Sequence, residues 1–222
     1  MTMTMEKTMT MEKTMTWQDE ITRRAHKPVV LLATATNGLK PRYNEILAVS
    51  TLVLGPEPVR TTLFRKVPRE VLFQAQDYHK ISEQQMLADG LDNVEFRHRF
   101  LDIVEKGTVF TFNPDFQQSF LVPLVADGTP FLYDLPLLLK GAEAELGMRE
   151  TQSNTIEDIF KQLYKILGKA PGLKAMCERR GLDPEAPTSV LPADYAVDCL
   201  YAFWKLLANY PYVSLPAIPR EL

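Results

Sequence analysis

The chain has 222 residues, 45% apolar and 24% charged, which is enough apolar material for one domain of the larger single-core kind. Its net charge of −3 provides no basic surplus to draw nucleic acid through bulk electrostatics, although a local basic groove stays open. Two cysteines, Cys177 and Cys199, fit neither a disulfide-dense fold nor a paired metal-ligand spacing, and no stretch reaches the ~20 apolar residues of a membrane span.

Residues 1–16, MTMTMEKTMTMEKTMT, repeat a short unit without large aliphatics. Such a unit cannot bury enough surface to offset chain entropy, so a flexible leader is expected; the other reading is a helix formed on a partner, with Met as its apolar face. The start also lacks the basic-then-apolar pattern of a signal peptide, which with reduced thiols points to a cytoplasmic protein making no membrane contact. Trp17 to Lys27 reads as a polar lead-in whose Arg23, Arg24 and Lys27 are solvated, so the leader is set at residues 1–27.

The domain proper, residues 28–210, opens on Pro28-Val29-Val30-Leu31-Leu32, an apolar run expected as a buried central strand. Asn37-Gly38 signals a turn, residues 45–54 and 59–66 read as further strands, and Gly55 to Pro58 joins them tightly. Strands so closely joined make an antiparallel meander. Ser82 with Gln85 three residues on resembles a capped helix start. Residues 93–106 place Val94, Phe100, Leu101 and Val104 at helical spacing and stop at Gly107. A strand over 108–112, a helix over 116–125, a strand over 130–133 and a helix over 135–146 follow. Helices over 156–167, 173–180 and 193–209 complete the domain. Residues 211–222 form a proline-rich tail, extended or docked. The sum is a single α/β domain: a mixed five-stranded sheet, its first three strands antiparallel and the rest alternating with helices, flanked by helices.

Four stretches carry a resemblance. Leu31-Leu32-Ala33-Thr34-Ala35-Thr36-Asn37-Gly38-Leu39 is similar to an opening strand of aliphatics, then Asp-x-Glu-Thr-x-Gly-Leu, with alanine at both acidic positions. His79-Lys80-Ile81-Ser82, with Met86-Leu87-Ala88, resembles a His-x-Ile-(Ser/Thr) segment and its following helix. Asn113-Pro114-Asp115-Phe116-Gln117, followed by Phe120-Leu121, resembles Asn-x-x-Phe-Asp with glutamine at the acid, and Asp134 matches an aspartate common at the end of the fifth strand. Ala193-Asp194-Tyr195-Ala196-Val197-Asp198 resembles His-x-Ala-x-x-Asp without the histidine. Together, over residues 28–210, these resemble the DEDD-type (DnaQ-like, proofreading) 3′–5′ exonucleases and imply their ribonuclease-H-like fold.

In that family four carboxylates hold two Mg or Mn ions that stabilise attacking water and leaving oxygen, and the histidine is the general base. Here Ala33, Ala35, Gln117 and Ala193 occupy those positions and Asp198 alone keeps its acid. Magnesium demands anionic oxygen, so the resemblance implies no intact catalytic residue and no metal, with Asp198 a ligand only of a residual site. Asp115 and Asp194 read as helix N-terminal carboxylates, and His79 as a hydrogen-bonded scaffold residue. Three uses of such a chain stay open. It would bind a single-stranded DNA or RNA 3′ end along Thr36, Asn37, Leu39, His79, Met86, Leu87 and Asn113, with Leu39, Met86 and Leu87 against terminal bases. It would serve as a protein-interaction module or scaffold inside a nucleic-acid-processing complex. Or it would be a metal-dependent exonuclease, with a remodelled site or inactivated by engineering at Ala33 and Ala35. A basic open groove favours the first and an apolar groove the second.

Overall fold

A computed structural model of the chain describes residues 14–125, 128, 130–145, 148–149, 155–170, 172–185, 187, 189–212 and 214–215. The Met-Thr repeat through residue 13 and most of the proline-rich tail lie outside them.

The lead-in expected as solvated is a helix, Trp17–Ala25 (α1). Thr16 and Asp19 form a reciprocal capping box at its start, and Trp17, Ile21 and Ala25, spaced by four, turn one stripe into the core. Its charges are not loose: the buried carboxylate of Glu20 is held by Arg23 at 2.8 Å and Arg24 at 2.5 Å. Tyr212 closes over the helix, its ring 5.0 Å from that of Trp17 and its N–H donating to the Met15 carbonyl at 2.9 Å. Residues on both sides of the expected bounds at 27 and 210 thus pack together.

Val29–Thr36 (β1) is buried through its first five residues, as an apolar run must be when helices cover both faces. Ile46–Val53 (β2) and Val59–Arg65 (β3) complete the antiparallel meander, with Ala33, Ser50 and Thr62 in register across it. Two short helices absent from the expectations follow, Arg69–Leu72 (α2) and Gln76–His79 (α3), then Glu83–Asp89 (α4), capped by Ser82 and Gln85 as expected. Gly90–Leu91 (β4) adds a sixth strand to the five anticipated; two residues beside Phe64 and Arg65 are too few to leave a periodic signal.

The remaining elements alternate. They are Asn93–Val104 (α5), Thr108–Thr111 (β5), Pro114–Val125 (α6), Leu132–Asp134 (β6) and Leu135–Glu143 (α7). Met148–Arg149 (β7), Ile156–Leu167 (α8), Leu173–Glu178 (α9) and Pro192–Leu206 (α10) come next, the last continuing as a 3-10 turn over Leu207–Asn209. Ser214–Leu215 (β8), from the tail, pairs with β7. The main sheet runs β4-β3-β2-β1-β5-β6, with β5 and β6 parallel to β1.

Strand alternation sorts the core. Leu31 and Ala33 pack with Phe110 against α1, α7, α8 and α10, while Val30 and Leu32 pack against Phe96, Phe100, Phe120 and Leu121 of α5 and α6. A third cluster joins Ala35, Leu47, Phe64, Leu72, Ile81, Met86 and Ala193. Among the described residues no helix is long and apolar enough to cross a membrane.

Candidate functional site

A cleft of about 560 Å³ opens beside the end of β1. Thr34, Ala35, Thr36, Gly38 and Leu39 supply one side, and Ala75, Tyr78 and His79 of the α3 region another. Phe112 and Phe116, with Leu173, Pro184, Pro192, Ala193, Tyr195 and Ala196, close it. No Asp, Glu, Lys or Arg stands among these lining residues.

The positions that the sequence resemblance sets against catalytic residues are scattered. Ala35 and Ala193 line the cleft; Ala33, on the same face of β1, is fully buried behind it. Gln117 is fully buried on α6, where its Oε1 accepts the Thr34 hydroxyl at 2.7 Å and its Nε2 has no partner. The Ser50 hydroxyl, in register beside Ala33, is likewise buried without a partner. Among the described residues these two polar groups are left without partners beside β1, each costing on the order of 1–3 kcal/mol.

Asp198 is not brought to the cleft. It is exposed on α10 and ion-paired with Arg60 of β3, whose guanidinium also donates to the Asp194 carbonyl at 3.1 Å. Asp194 accepts the Thr62 hydroxyl at 2.7 Å, so both acids serve to dock α10 on β3. The seating of α10 on β3 makes the separation: Asp198 is held by Arg60 on the exposed side, while Ala193 is buried at the cleft. Asp115 stands exposed in the first turn of α6, 3.9 Å from Lys169. Asp134 is buried and caps α7 by accepting the Leu137 N–H at 3.1 Å. Burial, helped by the charge of Asp115 and opposed by that N–H, pushes its carboxyl up to about 6.

Of the residues expected along a nucleic-acid groove, Thr36, Leu39 and His79 line the cleft. The Thr36 hydroxyl is spent on the Gly38 carbonyl at 2.7 Å, and Leu39 is 79% exposed at the rim. His79 is a buried scaffold residue: Nδ1 accepts the Ile81 N–H at 3.0 Å and Nε2–H donates to the Leu72 carbonyl at 2.9 Å. Burial holds its pKa below the ordinary histidine value, which keeps the ring neutral. Asn37 is buried, accepting the Glu45 N–H at 2.6 Å and donating to Gln74 at 2.8 Å. Met86 packs in the third cluster rather than facing a groove, because position 86 is the inward position of α4; its neighbour Leu87 is exposed but outside the cleft lining. Asn113 is exposed, with a φ of 48°, and starts α6 by offering its carbonyl to Phe116 and Gln117. Sequence reasoning misses Tyr78, Phe112, Phe116 and Tyr195. Only the four-residue spacing of Phe112 and Phe116 could have marked any of them, and α3 is too short for periodicity to single out Tyr78.

The fold is shared with solved structures of exonuclease I. A product-bound exonuclease I matches with a TM-score of 0.56 at 14% identity, over 83% of this chain and 44% of that one. Exonuclease I from Methylocaldum szegediense matches with 0.53 at 17%, over 82% and 42%. E. coli exonuclease I in complex with a dT13 oligonucleotide gives 0.54 at 14%, over 82% and 40%. Identities this low establish the fold alone, and the chain spans less than half the length of these proteins. No family model and no curated protein sequence matches it.

Proposed function

We propose that this chain is a catalytically inactive exonuclease-like domain whose former catalytic cleft is an uncharged site for a protein partner, so that it acts as a scaffold. The observation that carries this reading is the lining of the cleft, which among the described residues holds no carboxylate and no cation. Two divalent cations need several anionic oxygens around them. The donor set present does not fit them: alanines stand at 33, 35 and 193, Gln117 offers a neutral carbonyl already bonded to Thr34, and Asp198 pairs with Arg60. Among the described residues no group of three or more His, Cys, Asp or Glu could hold a metal ion. Among the described lining residues none is free to act as general base: both ring nitrogens of His79 are engaged and Ala193 takes no proton.

A second reading, binding of single-stranded nucleic acid without cleavage, has its own support. Leu39 and Tyr78 are exposed at the rim beside Lys40 and Lys80, a pairing of apolar or aromatic groups with cations that suits stacked bases and phosphates. E. coli exonuclease I was solved with such a strand. Titrating the full chain with Mn²⁺ by calorimetry, and with labelled oligo-dT by fluorescence anisotropy at low salt, separates the readings. Neither ligand saturating the protein is the expected result. Saturable Mn²⁺ binding overturns the loss of the metal site, and saturable oligo-dT binding replaces the protein partner with a nucleic acid.

A further inference from the structure

Resting on the reading of the cleft as a non-catalytic protein site, we propose that its occupant is a peptide segment with two or three large apolar side chains next to an acidic flank. The volume, about 560 Å³, lies within the range of sites that enclose small ligands or a few side chains. What enters the floor must be apolar, because its polar side chains are already used, while the Tyr78 hydroxyl stands at the exposed rim. Thr34 donates to Gln117, Thr36 to the Gly38 carbonyl, and His79 is bonded at both nitrogens. A backbone or phosphate pushed into the cleft would lose water without finding partners there. Aromatic rings at Tyr78, Phe112, Phe116 and Tyr195 supply flat apolar surface of the kind that anchors a side chain.

Charge sets the flank. On one lip, Leu39 is followed by Lys40, and His79 by Lys80; both cations are exposed, and neither engages a carboxylate among the described residues. Asp77 offsets them in part. On the other lip, Pro184 stands between Asp183 and Glu185, both exposed, with the exposed Lys174 beside Leu173 offsetting them in part. A cleft with a cationic lip, a neutral floor and an acidic lip favours a guest whose negative charge sits at one end. A phosphodiester strand, evenly charged along its length, would have to cross the acidic lip and a floor without cations. Peptide is the better match.

The test selects a phage-displayed library of random dodecapeptides on the full chain, then measures the synthesised consensus peptide by anisotropy. Enriched peptides should combine large apolar residues with adjacent Asp or Glu. Leu39→Ser with Tyr78→Ser, both exposed and so without consequence for folding, should weaken binding about tenfold. Ala196→Glu, which plants a charge on the cleft wall, should abolish it, provided its circular dichroism and melt match the parent. Lys40→Glu with Lys80→Glu should weaken binding and flatten its salt dependence. No enrichment, or a consensus indifferent to Leu39→Ser with Tyr78→Ser, overturns the proposal. Basic or uncharged apolar peptides that still depend on Leu39 and Tyr78 overturn the acidic flank while leaving a protein site in place. Displacement of the consensus peptide by oligo-dT would instead sink the protein-site reading itself.

Discussion

Asp134→Asn tests whether a buried carboxylate is held at a cost. Asp134 is 5% exposed and sits where β6 turns into α7, its Oδ1 accepting the Leu137 N–H. Burial raises its pKa from the ordinary 3.8 to about 6, with the charge of Asp115 adding to the rise and the Leu137 N–H opposing it. Below pH 3.8 the carboxyl is protonated whether the chain is folded or not, and stability is unaffected. As pH climbs through about 6 the unfolded chain has already released the proton while the folded one releases it late, so the fold loses stability. The full loss, reached above that pH, is about 3 kcal/mol at about 1.4 kcal/mol per pH unit. Asparagine keeps the capping oxygen and removes the charge, but adds an amide N–H₂ to a buried place. Asp134→Asn should therefore gain about 1–3 kcal/mol at pH 7.5 and nothing at pH 4, measured by urea denaturation across that range. A variant less stable than its parent at pH 7.5, or a difference that ignores pH, would refute the reasoning.

Trp17→Ala should cost about 3–5 kcal/mol in the same assay, because it empties a core position that Tyr212 packs against; a loss below about 1 kcal/mol would mean α1 is not part of the cooperative unit. Ser50→Ala removes a hydroxyl buried without a partner and should be neutral or stabilising by up to about 1 kcal/mol, so a clear destabilisation would reveal a partner for it. Asp198→Asn breaks a half-exposed ion pair and should shift stability by about 1 kcal/mol or less, with no change in the calorimetric response to Mn²⁺. A Mn²⁺ response present in the parent and lost in this variant would make Asp198 a ligand.

Where the sequence carries long periodic segments, the fold is legible in it. The buried run in β1, the meander and the helix over residues 156–167 all stand where the pattern puts them. Short elements escape such reading. β4 has two residues and α2 and α3 four each, so their existence depends on what they pack against. α1 was readable and is easily passed over, since its polar residues hide a Trp17, Ile21, Ala25 stripe and a Thr16/Asp19 cap. The site divides in the same way. Spacing along β1 puts Ala33 and Ala35 on one face, a period-two inference that needs no structure. Whether Asp198 shares that site depends on how α10 is rotated against β3, and Met86 reads as a contact or as core depending on the rotation of α4. Neither angle is written in a single motif.

The proposed catalytic inactivity is tested most directly by incubating the purified full chain with a 5′-labelled single-stranded oligonucleotide in Mg²⁺ or Mn²⁺ and following its length on a sequencing gel. The substrate should stay intact at high enzyme excess, indistinguishable from a chelator control. Stepwise shortening from the 3′ end that requires the divalent ion, co-elutes with the chain and disappears in Asp198→Asn would show a working metal centre where none is expected.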